Sequence, residues 1–171
     1  MVPIMDDADR IRYEIACSRF DLQIQRIERL NSRAAGGAEI SGVLMTLFLT
    51  LGGFVISNLN RPSLPLELLK LDFFIGLGLF AIDMFVFLWA YKLELYRYDP
   101  DPGEITEGDL TDLESNDLIR LLTKHVVDST IENHETNNQK ARTIKIGFYF
   151  LGFSIYAVLV FGVLVAISLP R

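Results

Sequence analysis

Residues Phe73 to Tyr91 read FFIGLGLFAIDMFVFLWAY, nineteen residues in which only Asp83 can carry charge. The hydrocarbon of a bilayer is about 30 Å thick and takes about 20 helical residues to cross. The segment therefore predicts a membrane span with an acid near its midpoint. Insertion scales put the cost of an Asp at that depth at about 2.5–3.5 kcal/mol, so the fold has to supply partners for it.

Working outward, two more charge-free runs match the first. Ile40 to Asn60 gives 21 uncharged residues and Ile146 to Pro170 gives 25. With the charged margins included, the spans are drawn at 39–60, 72–92 and 146–169. Arg61-Pro62-Ser63-Leu64-Pro65 turns the chain between the first two, because two prolines this close stop a helix. Leu66 to Leu71 reads as a short interfacial helix within the outer segment 61–71.

The segments between the spans are polar. Residues 1–38 hold a charged amphipathic helix whose apolar stripe is Tyr13, Cys17, Phe20, Ile24, Ile27 and Leu30. The run Ala34-Ala35-Gly36-Gly37-Ala38 at its end is either a hinge or a close-packing site. Residues 93–111 contain YDPDPGEITEG, a linker broken by two Asp-Pro steps. Thr111 with Glu114 then offers a capping box. A helix over 112–145, with Leu113, Leu118, Leu121, Leu122, Val126 and Ile131 on its apolar face, continues through a polar neck into the third span. It is the natural partner of the N-terminal helix. The expected fold is thus all-α: an integral membrane protein with three transmembrane helices and a cytoplasmic two-helix stalk.

Orientation follows from the basic residues. Lys and Arg number 6 before the first span, 2 between the first and second, 7 between the second and third, and 1 after the third. The positive-inside rule then sets the N-terminus and the long loop in the cytoplasm, and the C-terminus outside an inner (plasma) membrane. The acidic opening MVPIMDDADR lacks the apolar run of a signal peptide, so a retained N-terminus is expected. Cys17 is the single cysteine, which excludes an intramolecular disulfide. A net charge of −6 argues against a nucleic-acid partner.

Small and polar residues mark faces of the spans. Thr46, Thr50, Gly53 and Ser57 share one side of the first, a stripe that packs on protein or lines a pore. Gly76, Asp83 and Ala90 stand seven apart in the second. Gly162 and Ala166 have the four-residue spacing of close helix contacts in the third. Aligned by depth, Thr50, Asp83 and Tyr156 fall at one level and predict an intramembrane polar cluster, with a hydroxyl serving the carboxyl. Its roles are glue for the bundle, an ion or proton pathway, or assembly with a partner subunit.

Signs of chemistry are sparse. Arg120-Leu-Leu-Thr-Lys-His125 has the Arg-x4-His form of the HEPN ribonuclease motif, with His as acid or base and Arg on phosphate. An acidic surface suits RNA poorly, and no enzyme activity is expected. His125 and His134, nine residues apart, fit no zinc spacing. Neither a metal nor a cofactor is expected.

Asn31-Ser32-Arg33-Ala34-Ala35 entering one span, and Asn133 to Arg142 with Lys140-Ala141 entering another, carry a resemblance. On these elements the chain resembles small prokaryotic multi-span membrane effectors of the SLATT and Pycsar transmembrane type, with three spans where SLATT proteins have two. The resemblance implies an oligomer that perturbs the membrane when a nucleotide-signalling partner activates it. The sequence reading is therefore a homo-oligomeric, channel-like or membrane-perturbing effector in contact with lipid. The alternative is a non-conducting scaffold whose stalk binds a cytosolic protein.

Overall fold

The computed structural model describes residues 7–58, 66–92 and 115–168, which form three helices. Helix α1 runs Asp7–Asn58, α2 Leu66–Lys92 and α3 Ser115–Ser168. Each has an acid in its first turn (Asp7 and Asp9, Glu67, Asp117), and α2 ends on Lys92. These charges oppose the helix dipole, which favours anions at the N-terminus and cations at the C-terminus. All three helices are long and apolar enough to cross a membrane. The Arg61–Pro65 turn, the 93–111 linker and the Thr111/Glu114 capping box lie outside the described residues.

The Ala34–Ala38 run is no hinge, because α1 continues through it without a break. Likewise Leu66 to Leu71 is the first part of α2 rather than a separate helix.

The chain divides into two compact units. One comprises Met1–Leu30 and Leu93–Lys140, the other Asn31–Lys92 and Ala141–Arg171. In the first, α1 and α3 pair along a seam of Asp9, Ala16, Gln23, Ile27 and Leu30 against Val126, Ser129, Asn133, Asn137 and Lys140. Ser129, Asn133, Asn137 and Lys140 are fully buried. Asn137 donates from Nδ2 to Gln23 Oε1 at 2.9 Å, and Arg26 donates to Asn138 Oδ1 at 3.0 Å. Asp9, 4% exposed, accepts from Arg120 at 2.9 Å and from Arg12 at 3.2 Å. Ile131, expected on the apolar face, points outward at 62% exposure. The seam continues from Val126 through Ser129 to Asn133 and Asn137, which leaves Ile131 on the far side of the helix.

In the second unit α2 buries Leu69, Phe73, Gly76, Phe80, Asp83, Phe87 and Ala90. Steps of four and three alternate without exception, the heptad spacing of left-handed supercoiled helices. Gly37, Ser41 and Gly52 of α1 face Phe87, Asp83 and Phe73 in turn, so α2 runs antiparallel to α1. Gly147, Ser154 and Phe161 of α3 meet the same three residues in the same order. Glycines receive the rings. A Cβ on Gly37 would lie 2.5 Å from the Phe87 ring, one on Gly52 2.5 Å from Phe73, and one on Gly76 2.6 Å from Phe48. Phe48, Phe73 and Phe161 form a cluster with centroids 5.1–5.8 Å apart. Close backbone approach and dispersion hold such a bundle, as is usual where lipid removes the hydrophobic drive between helices.

Candidate functional site

Among the described residues Asp83 is the one charged residue of the second unit's core, and it is fully buried. The heptad spacing of α2 carries it inward with Phe80 before it and Phe87 after it, both also fully buried. Ser154 of α3 lies 3.2 Å from Asp83 Oδ2. Ser41 of α1 faces the carboxyl from the other helix. Both serines are completely buried, so one polar group from each helix meets at a single level of a mainly apolar core.

Their hydroxyl protons are contested. Ser41 Oγ donates to the Gly37 carbonyl at 2.9 Å, and Ser154 Oγ donates to the Phe150 carbonyl at 2.9 Å. A hydroxyl has one proton and two lone pairs, so each serine serves either its own helix or the carboxyl as donor. The carboxyl is left short on one side, for Oδ1 is buried and has no hydrogen-bond partner among the described residues. A group at position 83 with a proton of its own would satisfy the serine oxygens; a bare carboxylate would not. Phe80 and Phe87, both fully buried, flank the cluster.

Thr50 and Tyr156 do not join this cluster. Thr50 is exposed and gives its proton to the Thr46 carbonyl at 2.8 Å, while Tyr156 is 67% exposed. The packing register explains the discrepancy. Ser41 is level with Asp83, and Thr50 lies nine residues further on, about 13 Å along the axis. Tyr156 follows Ser154 by two residues, about 200° around the helix. The charge-free run of the first span starts too late in the sequence to show where its midpoint lies.

The other singled-out residues divide. Gly76 and Ala90 are buried in the seam. Thr46 and Ser57 are exposed and Gly53 has open space beside it. Gly162 and Ala166 also face outward, Gly162 with nothing within 4 Å of a Cβ. Within one chain these small residues receive no helix; the glycines that receive rings are Gly37, Gly52, Gly76 and Gly147. Gly162 does border a groove of about 420 Å³ between α1 and α3, lined by Leu44, Leu51, Val55 and Val158 among others.

Arg120 is held by Asp9, and no cluster of three or more His, Cys, Asp or Glu that could hold a metal occurs among the described residues. Reading the sequence missed Ser41 and Ser154, although Gly147, Ser154 and Phe161 stand seven apart as Gly76, Asp83 and Ala90 do. No protein-family model matches the chain, and no curated protein or solved structure matches it.

Proposed function

We propose that the protein is an oligomeric, channel-like or membrane-perturbing membrane protein, with its first unit on the cytoplasmic side and its C-terminus outside. One observation carries this reading. The core of the membrane-compatible unit is filled with phenylalanine, whereas Thr46, Thr50, Ser57 and Tyr156 stand exposed on its outer surface. Lipid is a poor environment for such groups, and in membranes polar side chains face protein or water. Several copies sharing those faces supply the cover, and permeation belongs to the assembly rather than to one chain. The alternation of basic segments supports the orientation.

Reconstitution of the purified chain in liposomes tests it: crosslinked oligomers that release a trapped ion are expected. Cysteines replacing Ser63 and Thr106, in a Cys17→Ser background, should label from opposite sides with an impermeant maleimide. Labelling of the Thr106→Cys variant from outside would overturn the orientation.

A second reading, the non-conducting scaffold, has its own support in the first unit. Ile11, Ile15 and Leu22 on α1 are 53%, 52% and 58% exposed, with Val127 and Ile131 exposed on α3. Apolar side chains outside a formed seam suit a protein partner. Silent liposomes together with tight capture of a cytosolic partner by this unit would favour the scaffold.

A further inference from the structure

The packing register sets depths that the sequence alone leaves open. Asp83, Ser41 and Ser154 share one level. Counting from it in one direction, Arg33 is eight residues away on α1, Lys92 nine on α2 and Lys145 nine on α3. Three basic residues thus fall on a common level about 12–14 Å from Asp83. In the opposite direction the next charge on α2 is Asp72, eleven residues off, about 16 Å away. The slab between these limits is about 30 Å thick, the hydrocarbon thickness of a bilayer. Glu39 lies inside it, only two residues from Ser41 and about 9 Å in from the basic level.

Glu39 is also on the outside of the bundle, exposed, with no hydrogen bond or ion pair found for it among the described residues. It belongs to a specific face. Gly42, Thr46, Gly53 and Ser57 follow it at steps of three, four, seven and four, with Thr50 beside them. Thr46, Thr50 and Ser57 each donate to the carbonyl four residues back at 2.8 Å. Their protons are therefore turned onto the helix and their lone pairs are free to face outward. No Lys or Arg occurs on α1 between Arg33 and Asn58. The face is a row of oxygen acceptors with one carboxylate, complementary in charge to a hydrated cation and to nothing in lipid. The remaining outward side of α1, with Val43, Leu47, Leu51 and Phe54, is fully apolar.

We propose that copies of this chain assemble with the Glu39–Ser57 face of α1 turned to a shared, water-filled axis, where a ring of Glu39 carboxylates selects cations over anions. Acid rings and oxygen-lined walls are how pores favour cations. The inference rests on the channel-like reading above and names its path and selectivity. Asp83 takes no part in conduction here; it fixes the three helices so that the Glu39 face is held outward.

The test uses the full chain, crosslinked to establish assembly, in planar bilayers under a KCl gradient. Wild type is expected to reverse on the potassium side. Glu39→Gln should move the reversal potential toward zero, and Glu39→Lys should carry it to the chloride side. In a Cys17→Ser background, Thr46→Cys should react with a charged methanethiosulfonate and block the current. Gly78→Cys, outward on α2 and five residues from Asp83 as Thr46 is from Ser41, should react far more slowly. Unchanged potassium preference in Glu39→Lys, or equal reactivity at the two cysteines, overturns the path while leaving a conducting oligomer in place. An assembled wild type that passes no current overturns the channel reading, and the path with it.

Discussion

The two units build the same kind of seam from opposite materials. In the first, α1 and α3 meet through amides and charges: Gln23 with Asn137, Arg26 with Asn138, Asp9 with Arg120. In the second, the same helices and α2 meet through rings set against glycines, with a polar level at Asp83. Both follow steps of three and four. A buried amide in a coiled seam fixes register at a cost in stability, since mispairing leaves a polar group without a partner. A ring opposite a glycine fixes register by shape, since a slip to the next seam position sets the ring against a side chain. The heptad thus sets the geometry, and the surrounding solvent decides which chemistry locks it.

The largest effect should come from the shape lock. Phe87 is fully buried and rests against Gly37 and Gly147. Phe87→Ala leaves a cavity that removal of a buried ring usually makes worth about 3–5 kcal/mol. Gly37→Ala strikes the same contact from the other side, and overpacking of this kind costs about 1–3 kcal/mol. Both should lower the unfolding midpoint in micelles, and the double variant should lose less than the sum because one contact is counted twice. Strict additivity would show that the ring and the glycine do not lock each other.

The polar level should matter less. Asp83→Leu removes the hydrogen bond from Ser154, at about 0.6–1.7 kcal/mol in membrane helices, and leaves Ser41 facing a side chain with no polar atom. Asp83→Asn brings N–H donors to the serine oxygens and should keep wild-type stability and ion flux. Loss of flux in Asp83→Asn with intact assembly would make the acid a proton carrier, against the role assigned to it here.

Much of this was legible in the sequence, and the failures share a cause. The three apolar helices followed from runs without charge, and the inward side of α2 from Gly76, Asp83 and Ala90 at seven-residue steps. The partners of Asp83 did not follow. Depth was judged from where charges stop, and Glu39 stopped the count six residues short of Arg33. Residues 34–38 were thereby set outside the membrane-compatible stretch, although Ala34 and Gly37 are buried in its core. Small residues likewise mark a contact face without saying whether the contact lies inside one chain, as at Gly76, or outside it, as at Gly53 and Gly162. A helix presents small residues both to a ring across the seam and to a neighbouring copy, and spacing does not separate the two uses. Buried Asn133, Asn137 and Lys140 escaped notice because a polar neck reads as solvated until its partner helix is known.

The amide lock of the first unit offers a subtler contrast. Replacing Gln23 and Asn137 together by Leu removes a hydrogen bond worth about 1 kcal/mol and adds apolar burial, so net stability should change little or rise. What should change is uniqueness. Crosslinks between cysteines at positions 16 and 130 would be joined by crosslinks one heptad out of step. A variant with a single crosslinking register would show that Ile27, Leu30 and Val126 suffice to align the helices.

The smallest effect within one chain is expected at Gly162, and its size is what makes it informative. Gly162 is exposed and a Cβ there meets nothing within 4 Å. Alanine in a helix interior is favoured over glycine by about 0.5–1 kcal/mol, so Gly162→Ala should leave the monomeric bundle unchanged or slightly more stable. Gly37→Ala, the same substitution, should destabilise it, and the opposite signs would separate a glycine that receives a ring from one that faces outward. Gly162 borders the groove between α1 and α3, where a helix of a second copy could approach the backbone closely. Measured in dilute micelles the variant should be neutral; measured in a bilayer at high protein density, a fall in crosslinked oligomer would place that approach at Gly162. Neutrality in both settings would leave the groove to lipid and put the contacts between copies elsewhere on the outer surface.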